Sequence, residues 1–65
     1  MDKFKKKDIV WDNILEVYAI VYSKPCLLAY NNGIGYGIKL LTGQNIGKRL
    51  YVKESELILV DRKND

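Results

Sequence analysis

The sequence contains no histidine and only one cysteine, Cys26. A zinc site built from cysteine and histidine ligands cannot be assembled within one such chain, and Ser–His or Cys–His nucleophilic catalysis is excluded. A lone cysteine forms no internal disulfide, which is typical of a reducing compartment. We therefore expect a non-enzymatic protein with no catalytic residue, no bound metal and no other cofactor.

Long apolar runs are also missing. No stretch approaches the ~20 consecutive apolar residues that a membrane-spanning helix needs. The lysine-rich start is not followed by the apolar core and small-residue cleavage site of a signal peptide. The sequence therefore predicts a cytoplasmic protein that does not interact with a membrane.

What the chain does contain is enough apolar material for one small core. Its 65 residues are 48% hydrophobic and 29% charged, with five tyrosines and one tryptophan. This length is near the lower size at which a core suffices without disulfides, metals or a partner chain. We expect one domain, existing as a monomer or a weak homodimer, because a marginal core often recruits a second copy.

The formal charge of +3 is concentrated at the start of the chain. Residues 8–60 hold five basic and five acidic side chains, and residues 61–65 hold two of each. We predict a basic, flexible arm at 1–7, one folded domain at 8–60 and a frayed tail at 61–65. The lysines of the arm are Lys3, Lys5, Lys6 and Lys7.

Short segments rich in Val, Ile and Tyr alternate with turn residues and predict an all-β fold. Asn31, Asn32 and Gly33 are typical of a tight hairpin turn, and 54–56 is suited to a single helical turn before the last strand. One alternative stays open, because polar residues within 8–23 also fall on one stripe of a helix. In this alternative, 8–23 is a helix packed on a four-stranded meander, and the fold is α+β. In the all-β fold that we favour, the predicted strands are 8–11, 14–22, 26–30, 35–41, 50–53 and 57–60.

The segment 52–60, with the sequence VKESELILV, resembles the C-terminal end of SH3-like barrels, including small ones encoded by phages and mobile elements of Gram-positive bacteria. The segment 7–10, KDIV, is similar to the first strand of such barrels and of KOW-type domains. The resemblance implies a small SH3-like antiparallel barrel of five to six short strands. The chain lacks the glycines that a KOW motif has at the first hairpin. The loop after strand one is too short for a proline-binding SH3 domain, so neither activity is carried over.

Four carboxylates are the candidates for acid–base chemistry, and all lie at predicted turns or strand ends. We interpret Asp8, Asp12, Glu54 and Glu56 as solvated turn residues. Cys26 lies in an apolar strand without a histidine partner, and we interpret it as a buried small hydrophobe.

Binding chemistry is left as the main expectation. Trp11 and Tyr51 are the aromatic residues that we expect to be exposed together, beside Lys48, Arg49 and Lys53. The leading hypothesis is a protein-interaction module of the small phage-effector kind, docking on a protein partner. The alternative is a nucleic-acid-binding barrel that uses the lysine arm and this basic and aromatic group.

Overall fold

The computed structural model describes residues 2–29 and 33–63. These residues form six β-strands, and a 3-10 turn at Glu54–Glu56 joins the last two strands. The strands are β1 (Ile9–Asp12), β2 (Val17–Val21), β3 (Cys26–Leu27), β4 (Ile34–Leu40), β5 (Arg49–Lys53) and β6 (Leu57–Asp61).

All six strands belong to one antiparallel sheet. β1 lies between β2 and β6, whereas β4 pairs with β2 and β3 along one side and with β5 along the other.

The predicted all-β fold is confirmed, as is the single helical turn before the last strand. The helical alternative for 8–23 is wrong, because this segment forms the paired antiparallel strands β1 and β2, as its content of Val, Ile and Tyr favours. The arrangement is that of a small barrel-like fold.

The core lies on one side of this curved sheet and follows the alternation of each strand. In β4, for example, Tyr36, Ile38 and Leu40 are buried while Lys39 is exposed. The other core side chains are Phe4, Val10, Val17, Ala19, Val21, Val52 and Leu57. The opposite side of the sheet is therefore left to carry any binding surface.

The N-terminal segment contacts this core, unlike the flexible arm that we predicted. Phe4 is 1% exposed, and its ring meets Tyr36 edge-on with 5.3 Å between the centroids. The main-chain N–H of Phe4 also donates to the Tyr36 hydroxyl at 3.2 Å. An apolar side chain among lysines is enough to attach the segment, while Lys3, Lys5, Lys6 and Lys7 remain exposed.

The two ends of the described chain are joined by an ion pair. Arg62 donates to the carboxylate of Asp8 at 2.7 Å, although 54 residues separate them in sequence. Asp8 is almost fully buried and also accepts the main-chain N–H of Lys5 at 2.8 Å. The predicted frayed tail is thus held as far as Arg62, and Asp61 extends β6; residues 64 and 65 lie outside the described residues.

The second strand begins later than predicted, at Val17 and not at residue 14. The cause is Asp12, whose Oδ1 accepts the main-chain N–H groups of Ile14 and Leu15, both at 2.9 Å. This carboxylate closes a turn in which Glu16 adopts a positive φ of 56°.

The hairpin turn predicted at 31–33 has Gly33 at a φ of 79°; Asn31 and Asn32 lie outside the described residues.

Candidate functional site

Trp11 lies at the centre of an apolar row that crosses three strands on the outer side of the sheet. Its direct neighbours are Tyr18 on β2 and Ile58 on β6. The Trp11 and Tyr18 rings meet edge to face, with 4.8 Å between centroids and 63° between planes. The indole N–H donates to the Asn13 side-chain oxygen at 3.1 Å, which holds the tryptophan in one orientation.

A second pair continues this row along the same side of β1 and β2. Ile9 lies directly opposite Ile20, and both are half-buried. Tyr18 is 43% exposed and Ile58 is 50% exposed, so water contacts much of their apolar surface. We name these residues the apolar outer face: Ile9, Trp11, Tyr18, Ile20 and Ile58.

Lysines border the apolar outer face. Lys7 and Lys63 line a hollow of ≈ 310 Å³ together with Ile9, Ile20 and Asp61. Lys39 lies beside Ile20 on the next strand. On the other flank, β6 is the last strand in the pairing order, so the face extends to an edge of the sheet.

A different group of side chains occupies the outer side of β5. Arg49, Tyr51 and Lys53 alternate along the strand and are all exposed. Lys39 pairs with Arg49 across β4 and β5. Tyr22 completes the group, because its ring lies 6.1 Å from Tyr51 and its centroid is 5.4 Å from the Arg49 guanidinium. We name these residues the basic–aromatic face: Tyr22, Lys39, Arg49, Tyr51 and Lys53.

The basic–aromatic face carries net positive charge. Within residues 2–29 and 33–63, no carboxylate lies within ion-pair distance of Lys39, Arg49 or Lys53. Partial burial, followed by the neighbouring Tyr51 hydroxyl, raises the pKa of Tyr22 above its ordinary value. The Tyr22 phenol is therefore neutral at physiological pH, and the three cations set the charge of this face.

The five predicted binding residues are divided between these two surfaces. Trp11 belongs to the apolar outer face, where it contacts Tyr18 and not Tyr51. Arg49, Tyr51 and Lys53 lie together on the basic–aromatic face. Lys48 precedes β5; its side chain is exposed and its carbonyl accepts the main-chain N–H of Leu40 at 2.9 Å.

Six members of the two faces were not among the binding residues predicted from the sequence: Ile9, Tyr18, Ile20, Tyr22, Lys39 and Ile58. Alternation along 35–41 predicts that Lys39 lies on an outer side, but only the pairing of β4 with β5 brings it beside Arg49. Tyr18, Tyr22 and Ile58 are neighbours of predicted residues through strand pairing or ring contact, and no local sequence pattern encodes those contacts.

The candidate carboxylates do not share one environment. Asp8 and Asp12 are buried, so our interpretation of both as solvated turn residues is wrong. Burial is tolerated because Arg62 neutralises Asp8 and main-chain N–H groups bind Asp12. Glu54 accepts the Tyr36 hydroxyl at 3.2 Å, and Glu56 lies beside Asp12.

Cys26 is only partly buried, in contrast to the buried hydrophobe that we predicted. It lies in β3, a two-residue strand, and its thiol donates to the Gly35 carbonyl at 3.6 Å.

Across the described ranges, no three His, Cys, Asp or Glu side chains cluster as metal ligands would. Nor does any described helix have the length and apolarity to cross a membrane.

Comparisons with protein-family models, with curated proteins and with solved structures find no match to this chain. The two surfaces of the sheet are therefore the features from which a function is proposed.

Proposed function

We propose that this domain is a non-enzymatic protein-interaction module that binds a peptide segment of a partner protein on the apolar outer face. The observation that carries the proposal is the cross-strand row of Tyr18, Trp11 and Ile58 on the outer side of the sheet. The SH3-like resemblance of 52–60 supports the further proposal that it is a small cytoplasmic effector of a phage or mobile element.

The composition of the apolar outer face favours binding over simple exposure. Tyrosine and tryptophan are enriched among the residues that contribute most to protein interfaces. Trp11 is held by its neighbours on both strands and by Asn13, so binding costs little side-chain entropy there. The face is also contiguous, whereas scattered single apolar residues on a surface need no explanation.

The charges around the face indicate what kind of segment binds. Lys7, Lys39 and Lys63 border the apolar residues, with Asp61 as the acidic exception. A segment with one or two large apolar side chains flanked by carboxylates complements this arrangement. A second copy of the domain, docked face to face, brings lysines against lysines, so we favour a partner peptide over self-association.

A displayed library of random peptides tests this proposal without knowledge of the natural partner. We expect selection on the wild-type domain to enrich peptides with an aromatic or aliphatic anchor and adjacent acidic residues. Ile58→Glu places a negative charge in the row, and we expect it to bind the selected peptides at least tenfold more weakly. Ile46→Glu is the matched control, because Ile46 is 69% exposed and lies outside the face.

Three results would count against the proposal. The first is a selection that enriches no common pattern, and the second is selected peptides that bind the Ile58 and Ile46 variants equally well. The third is a concentration-dependent dimer in light scattering that Ile58→Glu abolishes, which would make a second copy the occupant of the face.

A further inference from the structure

We propose that the basic–aromatic face is a separate binding site for single-stranded nucleic acid, with a base stacked on Tyr51 and phosphates bound by Lys39, Arg49 and Lys53. This inference goes beyond the proposed function and is carried by different residues, Tyr22, Arg49, Tyr51 and Lys53; Lys39 alone lies at the border of both faces. It replaces the broader hypothesis that joined Trp11 and the lysine arm to the same group.

Tyr51 provides the stacking surface. Its side chain is 56% exposed, although the neighbouring Tyr22 ring supports it edge-on at 6.1 Å. Tyr22 in turn lies over Gly37, where an added Cβ atom would come within 2.7 Å of the phenol ring. Because Gly37 has no side chain, β4 leaves the space that the Tyr22 ring occupies. A ring that is supported in this way loses little freedom when a base stacks on it.

Positively charged side chains lie on both sides of the Tyr51 ring along β5. Arg49 and Lys53 are four residues apart on β5, which corresponds to about 13 Å along the strand, with Tyr51 midway. Lys39 is next to Arg49 on the adjacent strand. Phosphates that precede and follow a stacked base can therefore each approach a positive charge.

The arrangement favours an unpaired strand over a duplex or an acidic peptide. Bases in a duplex are stacked on one another and do not offer a free face to a tyrosine ring. An acidic peptide would satisfy the cations but would leave the exposed ring of Tyr51 without a planar partner. Stacking is sequence-tolerant, so we expect little base preference.

Fluorescence anisotropy with labelled oligothymidine, oligouridine and a mixed-sequence duplex tests the site. We expect both single strands to bind at low salt and the duplex to bind more weakly; the two single-stranded arms identify DNA or RNA as the better ligand. Tyr51→Ala should weaken binding by about fivefold or more with an unchanged salt dependence, while Tyr51→Phe retains affinity. Arg49→Ala should lower the slope of log K against log salt by about 0.7.

Matched variants exclude general effects of charge or aromaticity. Lys63→Ala removes one positive charge outside the face, and Tyr18→Ala removes an exposed tyrosine from the other face; we expect either to change affinity less than twofold. The inference is overturned by an absence of single-strand binding at low salt. Equal losses in Tyr51→Ala and Tyr18→Ala, or displacement of the oligonucleotide at similar concentration by oligoglutamate, which has no apolar anchor for the other face, would overturn it too.

Discussion

The carboxyl group of Glu56 lies beside the buried carboxylate of Asp12. One oxygen of Asp12 accepts the N–H groups of Ile14 and Leu15, at 2.9 Å each. The other oxygen is buried and receives no N–H or hydroxyl donor from the rest of the described chain. We expect a protonated Glu56 carboxyl to donate to it. Burial, and then the neighbouring Asp12, raises the pKa of Glu56 to about 7.

The first prediction concerns pH and this pair. Because the folded chain holds the Glu56 proton more tightly than the unfolded chain, whose pKa is near 4.5, stability should fall as pH rises from about 4.5 to about 7. We expect a loss on the order of 1–2 kcal/mol, reduced from the full shift because Glu56 is partly solvated. Urea unfolding at several pH values measures it.

The control for this effect is Glu56→Gln, which keeps a hydrogen-bond donor beside Asp12 and does not titrate. We expect its free energy of unfolding to be constant between pH 4.5 and 7. An unchanged pH dependence in this variant would show that another group is responsible.

The second prediction concerns the ion pair of Asp8 and Arg62. Asp8→Ala leaves a buried cavity and an unpaired guanidinium, and we expect a loss of about 2–3 kcal/mol in urea unfolding. The hydrogen bond from Arg62 holds the pKa of Asp8 below its ordinary 3.8. Its stabilisation is therefore present above about pH 4 and is lost as pH falls below that value, outside the range in which Glu56 titrates.

Asp61→Asn is the matched control for Asp8→Ala, because Asp61 is an exposed carboxylate at the same end of the sheet. It should change the free energy of unfolding by less than about 0.5 kcal/mol. Equal effects of the two variants would mean that the Asp8 pair contributes no more than a surface charge.

The third prediction tests whether the N-terminal segment belongs to the fold. Phe4→Ala removes a buried ring from contact with Tyr36, and we expect it to cost about 3 kcal/mol. Lys6→Ala, two residues away and exposed, should be nearly neutral. Thermal unfolding followed by circular dichroism compares them; similar melting temperatures would show that the segment is the flexible arm predicted from its lysines.

The fourth prediction concerns the close approach of Tyr22 to Gly37. Gly37→Ala should destabilise the domain by about 1–2 kcal/mol, because the new methyl group displaces the ring. In a Tyr22→Ala background the same substitution should cost little, which a double-mutant cycle in urea measures. Additive effects would place the strain elsewhere in β4.

Strand alternation and turn residues in the sequence are enough to predict the all-β fold. The pattern around 35–41 predicts which side chains of β4 face the core, and 54–56 predicts the turn before β6. The start of β2 was predicted wrongly, because Ile14 and Leu15 are strand-forming residue types, whereas the Asp12 carboxylate binds their main-chain N–H groups in a turn. Phe4 was missed since its partner, Tyr36, is 32 residues away.

The candidate surfaces were predicted less well than the fold. Residues 49, 51 and 53 share a side of one strand, so alternation alone groups them. Trp11 was grouped with Tyr51 by residue type, but pairing of β1 with β2 and β6 places it beside Tyr18 and Ile58. Such neighbours depend on register, which the whole sheet determines.

The most direct test of the proposed function is a nuclear magnetic resonance titration of the isotope-labelled domain with a peptide selected on it. We predict that the largest amide and indole shifts fall on Trp11, Tyr18 and Ile58, and that the peptide also changes the fluorescence of Trp11, the single tryptophan. Shifts centred on β5, or spread evenly over the sheet, would contradict the assignment of the apolar outer face as the protein-binding surface.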